Sequence, residues 1–444
     1  MNSIDRFGVS WRGRRVAVLG LGKSGLAAAR LLQRLGCRVR VSEARETEEL
    51  RQVAGRLLDA GVEEIELGRH SQQILEGCEA VVVSPGIAES LPLLRWAAAQ
   101  GLPLLSEIEL AFHFCPAPIV AVTGTNGKSS VVTLIQRVLA AAGRPAVCCG
   151  NVGIPFAEVL PSLTPRSIAV VEVSSFQLLG CRQFRPFVGV LLNLGTNHLD
   201  RHPDRAHYIA AKARLFARQT PEDYAVLNGT DPEVVALGKQ VYAQRIWFGK
   251  NLDNPPHVHL DPATCRALSA NLQAVLQAGR ILDIPDPFTY QVLRQFRGLE
   301  HRLEFVGTVR GVTIVNDSKS TTPDSLLYAL ARASTPVVPI IGGRDKGLDF
   351  RALAAVLAEE RVHGIVLIGE SRRQLHALLN GRANVRECET LDGALETALT
   401  LARPGDTVLF SPACTSFDMF KNFEDRGRIF KELVRQRQPA EGTP

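Results

Sequence analysis

No apolar run in this chain approaches the roughly 18 consecutive residues that a membrane helix needs. The opening segment, MNSIDRFGVSWRGRRVAVLG, has no long apolar stretch ahead of a small-residue cleavage site. Both absences lead to the expectation of a soluble, cytoplasmic protein. None of the nine cysteines stands in a C-x-x-C pair or in a zinc-like grouping with histidine, and an odd, scattered set of this kind fits a reducing compartment. The formal charge of +6 is spread along the chain, and the densest basic stretches, RGRR at 12–15 and RQRQ at 435–438, are short. Without a stripe of basic residues interleaved with aromatics, they read as solvated surface, and no nucleic-acid partner is expected. No repeat of constant period is present, and only the polar tail RQRQPAEGTP has the composition of a disordered segment.

What is there is core-building material: 45% hydrophobic and 22% charged residues over 444 positions, a length that fits roughly three domains. Three α/β units follow one another, with expected boundaries at 1–116, 117–299 and 300–444. The first opens with RRVAVLGLGKSG, where an apolar strand runs into Gly20, Gly22 and Gly25 and a helical pattern follows. This is a Rossmann-type G-x-G-x-x-G in a strand–turn–helix setting, and the next strand ends at Glu43, near where a ribose-binding acid would lie. The proline-rich CPAP at 115–118 reads as a linker, and FRGLEHRLE near 300 as the second boundary. Strand patterns alternating with helical ones predict parallel sheets in all three units, with carboxyl-end loops free to carry sites.

The second unit begins with AVTGTNGKSSVV, 121–132, a strand feeding Gly-Lys-Ser and an apolar helix. The full phosphate-loop motif wants a glycine five places before Gly127, where this chain has Val122. In this loop the backbone N–H groups of Thr125 to Lys128 would wrap ATP phosphates, Lys128 would neutralise them, and the Ser129 hydroxyl would reach Mg²⁺. Glu172 ends the strand SIAVVE, where an acid can hold a metal, though a lone acid is more often a surface residue or a cap. His198 on spacing alone reads as a packed or capping histidine, and Lys212 as a solvated lysine on a helical face. The glycine turn of the first unit supports a rival, an NAD-dependent dehydrogenase with Glu43 on the ribose, and a non-catalytic nucleotide-binding scaffold stays open as a third reading. Against the dehydrogenase, a second phosphate loop carrying a lysine has no role in hydride transfer. Two such loops point to two phosphate-bearing ligands, hence to a ligase or kinase acting on a nucleotide-tagged substrate.

Taken in order, TGTNGKSS, VEVSSFQL, NHLDRH, YIAAKARLF, LEHRLEF, NDSKSTTPDS, GGRDKGLDF and SPACTSFDMFKNFEDRGRIF resemble the motifs of the Mur ligases from Val16 to about Leu433. The last third resembles the branch of that family that adds D-glutamate, because NDSKSTTPDS stands where other members carry a DYAH or DGAHNP type of motif. The resemblance implies three α/β domains, Rossmann-like, phosphate-loop and Rossmann-like, and ATP-dependent amide formation between UDP-N-acetylmuramoyl-L-alanine and D-glutamate in peptidoglycan precursor synthesis. It implies no membrane partner and a monomer, with domain closure around the ligands.

It also implies residue roles. Gly124, Thr125, Asn126, Gly127, Lys128, Ser129 and Ser130 would bind ATP phosphates. Asn271, Arg302, Asp317 and Lys319 would surround the rest of the nucleotide. Ser129, Glu172, His198 and Lys212 would serve Mg²⁺, with Lys212 carbamylated, and Lys128, His198 and Lys212 would be catalytic. Gly20, Gly22, Ser24, Gly25, Glu43, Arg45, Ser84, Pro85 and Gly86 would hold the UDP-sugar, and Asn151 would touch the substrate. Thr321, Lys346, Ser416 and Phe423 would hold the D-glutamate carboxylates, a task suited to a cation and hydroxyl donors. Departures from the family pattern stand at Ala44, Asn197 and Ala270.

Overall fold

Three sheets organise the protein in its computed structural model, which describes residues 3–195, 201–250, 269–296, 298–345, 348–379 and 384–438. By contacts the backbone divides into two compact units, 1–295 and 296–444.

The first unit holds two sheets. In one the spatial order is Glu64–Leu67, Arg38–Glu43, Arg15–Leu19, Ala80–Val83 and Leu104–Leu105, all parallel. The chain order reverses beside Arg15–Leu19, and the loops leaving the carboxyl ends of Arg15–Leu19 and Ala80–Val83 flank that switch point, where α/β sheets bind ligands. In the other the order is Gln244–Phe248, Tyr224–Asn228, Val188–Leu191, Ile119–Thr123, Ile168–Glu172 and Ala146–Gly150, again all parallel. The central strands IVAVT and IAVVE are buried at every position, as strands covered by helices on both faces must be. Val122 is fully buried within Ile119–Thr123, so it is core strand.

The CPAP segment connects these two sheets, with Pro116 and Pro118 exposed. Cys115 and Ala117 are buried in one continuous core that runs from Trp11 to Trp247. The helix Glu107–Phe114 is held there by its acids. Glu107 Oε1 accepts from Ala157 N at 2.5 Å, and Glu109 accepts from Gln183 N at 2.6 Å and Phe184 N at 2.9 Å.

The second unit has its own sheet, in the order Glu304–Val309, Val312–Asn316, Thr407–Phe410, Val337–Gly342, Ile365–Ile368 and Val385–Glu387. The pairing is again mainly parallel, as expected, and at one edge Glu304–Val309 runs antiparallel to Val312–Asn316. The two strands are joined by Arg310 and Gly311 alone, both at positive φ (53° and 76°). That is the conformation a tight two-residue hairpin requires, whereas a parallel crossover would need a dozen residues or more. Two apolar clusters cover the two faces of this sheet. Among the described residues, no helix is long and apolar enough to cross a membrane.

Candidate active site

The loop after Ile119–Thr123 closes around Gly127, which caps the helix Lys128–Ala141 in the left-handed region at φ 87°. Asn271, on the helix Ala270–Ile281, lies so close that a Cβ on Gly127 would meet its Nδ2 at 2.3 Å. The Lys128 ammonium donates to Gly124 O and Thr125 O, both at 2.9 Å, which curls it back over the loop. One residue on, Ser129 Oγ donates to Glu172 Oε2 at 2.6 Å, while Asn151 Nδ2 donates to Glu172 Oε1 at 2.8 Å. Two oxygen-bearing side chains in direct contact at the carboxyl edge of a sheet are a donor set suited to a hard cation such as Mg²⁺.

Lys212 overturns the default of a solvated lysine. It is 2% exposed, on the helix Arg205–Ala213, and its ammonium donates to Gly124 O at 2.9 Å and Thr123 Oγ1 at 3.4 Å. Both lysines therefore share the Gly124 carbonyl. Burial, reinforced by the Lys128 charge and opposed by Glu172, holds the Lys212 pKa well below the usual lysine value. One turn earlier, Tyr208 OH bonds Thr125 Oγ1 at 2.8 Å, and its ring lies 4.7 Å from Lys212 Nζ. Asn193 braces the loop from the neighbouring strand end, with its Oδ1 accepting from Asn126 N at 2.8 Å and its Nδ2 donating to Asn126 O at 3.1 Å. Sequence reasoning missed Tyr208 and Asn193. The i, i+4 spacing of Tyr208 and Lys212 on one helical face was the available signal for the first.

The flanking motif VEVSSFQL owes part of its character to local structure. Ser174 and Gln177 form a capping box on the helix Ser175–Leu179, an arrangement worth about 1 kcal/mol.

The first sheet's site candidates gather at its carboxyl edge. Gly20 adopts φ 88°, and a Cβ on Gly25 would sit 1.8 Å from Gly20 O, so this turn admits only glycine there. Ser84 Oγ donates to the same Gly20 O at 3.0 Å. Pro85 and Gly86 follow in the loop, and Ser24 is half-buried in the first turn of the helix Lys23–Arg34. Glu43 accepts from Leu21 N at 2.9 Å and from Arg45 Nε at 3.0 Å. Burial pushes this carboxyl up, but those hydrogen bonds outweigh it and hold the pKa at about 2. Glu43 is thus a fixed anion clamping the glycine turn.

In the second unit, Asp317 Oδ2 accepts from Ser411 Oγ at 2.8 Å and Oδ1 from Leu303 N at 3.1 Å. Burial is the main cause that raises its pKa to about 6. Lys319 Nζ lies 5.3 Å from the Phe423 ring centroid. Thr321 and Ser416 lie in the two loops beside these residues, and Arg302 sits just before the edge strand. Arg426, given no role from sequence although it stands in the FEDRG stretch, is fully buried and ties the two loops together. Its Nε and Nη2 donate to Ser318 Oγ (3.0 Å) and Ser318 O (2.8 Å), and its Nη1 to Cys414 O (3.0 Å). His301, Leu303 and Ala413, around the same loops, hold positive φ values of 63°, 43° and 60°. Such strain persists only where the surroundings enforce it, and it clusters at functional loops. His198 and Lys346 lie outside the described residues.

The molecule is thus a three-sheet α/β protein that carries a phosphate loop with a serine–carboxylate pair and a buried low-pKa lysine. Comparison with known proteins is specific. Residues 14–106 match the family model for the Mur ligase MurD-like N-terminal domain, 122–266 the Mur ligase middle domain, and 301–414 the Mur ligase glutamate ligase domain. The chain is 37% identical to the UDP-N-acetylmuramoylalanine–D-glutamate ligase of Koribacter versatilis, covering 96% of this chain and 98% of the relative. It is 39% identical to the enzyme of the same name from Chlorobaculum tepidum, covering 96% and 98%. In fold it resembles the MurF ligase from Thermotoga maritima in complex with ADP, with a TM-score of 0.56 at 17% identity over 96% of each chain. This chain belongs to the Mur ligase family.

Proposed function

We propose that this protein joins D-glutamate to UDP-N-acetylmuramoyl-L-alanine at the expense of ATP, forming an amide in peptidoglycan precursor synthesis. The near full-length likeness to enzymes of that name supports the reaction. The observation that carries the chemistry is the convergence of Lys128, the Ser129–Glu172 pair and Lys212 on one loop.

A carboxylate is a poor electrophile, so it is first given a leaving group. The γ-phosphoryl group of ATP passes in line to the terminal alanine carboxylate, making an acyl phosphate and ADP. The neutral amine of D-glutamate attacks the acyl carbon to form the C–N bond, the tetrahedral intermediate loses a proton to a base, and its C–O bond to the phosphorus-bearing oxygen breaks so that phosphate leaves with the bonding pair. Lys128 and the loop N–H groups bind and orient the phosphates. Ser129 and Glu172 are the residues that would hold Mg²⁺, which when bound screens charge on the transferring group.

Lys212 is the candidate for carbamylation, since only a neutral amine adds CO₂ and its burial favours that form. The carbamate would then be an anion facing Lys128, reversing the repulsion between the two ammonium groups. The glycine turn with Ser84, Glu43 and Arg45 is assigned to the UDP moiety, and Asn151 to the substrate beside Glu172. Asn271, Arg302, Asp317 and Lys319 are assigned to the nucleotide, and Thr321, Lys346, Ser416 and Phe423 to D-glutamate. His198 remains a candidate for handling the amine proton. A soluble, cytoplasmic monomer fits this role.

The test is phosphate release from ATP with UDP-N-acetylmuramoyl-L-alanine and each candidate amino acid in turn. Release that depends on D-glutamate is expected, and release with another amino acid alone would overturn the reading.

A further inference from the structure

Beside the substrate loop of the first sheet, three side chains come together that the proposed reaction does not use. Glu89 follows the Ser84–Pro85–Gly86 loop, while His202 and His207 belong to the second sheet's side of the same compact unit, His207 in the first turn of the helix Arg205–Ala213. One ligand-type atom from each lies within 4.8 Å of the other two. The His202 and His207 Nδ1 atoms face each other at 3.0 Å, and His207 Nε2 lies 3.5 Å from Glu89 Oε2. Two imidazole nitrogens about 2.0–2.1 Å from a tetrahedral ion stand about 3.3 Å apart, so the Nδ1–Nδ1 pair needs only a few tenths of an ångström of adjustment, while the exposed Glu89 carboxylate, which now lies beside His207 Nε2, must turn toward His207 Nδ1 to complete the set.

The surroundings hold the central histidine as metal-ligating imidazoles are held. His202 is buried, its Nε2 is 3.0 Å from Ser175 Oγ, and its ring stacks on Phe176 at 4.9 Å and 8°. A ring whose Nε2 proton is given to a hydroxyl presents Nδ1 as a lone pair, the outer-shell arrangement that fixes a ligand's tautomer. The two chain segments are already joined next door, where Arg201 Nη2 donates to Pro85 O at 2.8 Å and the guanidinium covers Phe176 at 3.9 Å.

We propose that Glu89, His202 and His207 bind one divalent transition-metal ion of the zinc class, which pins the loop after Ala80–Val83 to the start of the helix Arg205–Ala213. Two imidazoles and one carboxylate suit zinc, cobalt or nickel, whereas Mg²⁺ prefers the all-oxygen pair at Ser129 and Glu172.

The experiment uses the full chain stripped with a chelator, then titrated with Co²⁺ and with Zn²⁺ in the presence of excess Mg²⁺. One equivalent of Co²⁺ should bind with a visible spectrum of nitrogen and oxygen ligation and no thiolate charge-transfer band, and Zn²⁺ should displace it. Glu89→Gln, at an exposed position, and His207→Gln should each weaken Zn²⁺ binding by more than the roughly 10–100-fold that loss of an outer-shell partner costs, while far-UV circular dichroism stays native. A thiolate band, competition by Mg²⁺, the absence of a saturable equivalent, or unchanged affinity in Glu89→Gln would each overturn the proposal.

Discussion

A lysine is most useful to a phosphate loop when its charge is kept, and most useful as a carbamate precursor when it is lost. Lys128 and Lys212 divide these roles around the single carbonyl of Gly124. Lys128→Ala should lower phosphate release by about 10²–10³-fold or more with an unchanged thermal unfolding midpoint, because the residue is only part-buried. For Lys212, the folded pKa lies well below 10.5, so between the two values the unfolded chain binds more protons and stability rises with pH. In CO₂-free buffer, Lys212→Met should therefore be inactive yet no less stable than the parent to urea near about pH 7. Its advantage should shrink as the pH climbs toward 10.5. In ¹³C-bicarbonate, the parent should show a carbamate carbon signal that the Met variant lacks. Asp317 has the opposite sign: its pKa is raised from 3.8 to about 6, so its contribution is fully present below 3.8 and is lost as the pH rises to about 6. At about 1.4 kcal/mol per unit, Asp317→Asn should gain up to about 3 kcal/mol on the parent between those limits, read by urea denaturation across pH.

At the scale of elements, short connections carry the decisive polar contacts. The helix Glu107–Phe114 spends the two acids of its first turn on three backbone N–H groups of the second sheet's domain. Glu109→Ala would leave Phe184 N buried without an acceptor, at about 1–3 kcal/mol, while Gln183 N, in an exposed residue, can turn to water. Chemical denaturation should show a loss of about 1–3 kcal/mol. Arg426 similarly joins the loops after Val312–Asn316 and Thr407–Phe410, donating to Ser318 and to the Cys414 carbonyl. Burial lowers its pKa to about 10, so it stays charged at neutral pH. Arg426→Lys cannot make three bonds in a fork, and it should raise the KM for D-glutamate more than it lowers kcat if the two loops hold that substrate. Steady-state kinetics with D-glutamate varied would read this split.

At the scale of the molecule, 296–444 possesses its own sheet and its own apolar clusters, as 1–295 does. A fragment of 296–444 should unfold cooperatively by itself, and neither fragment alone should release phosphate in the presence of all three substrates. Calorimetry and the phosphate assay together check both halves of that expectation.

The sequence by itself determined the α/β class, the glycine turns and the phosphate loop. These rest on local rules: a β-branched run makes a strand, and only glycine tolerates the φ of residues 20 and 127 or the crowding at Gly25. It also carried the family motifs, several of whose residues prove to be helix caps, such as Ser174, Thr322 and Asn422. Only the tertiary structure decided that Lys212 is buried, that Glu43 is a clamp, that Tyr208, Asn193 and Arg426 brace the loops, and that Cys115 and Ala117 are core. Burial, charge proximity and hydrogen-bond partners arise between segments far apart in the chain, and no local pattern encodes them.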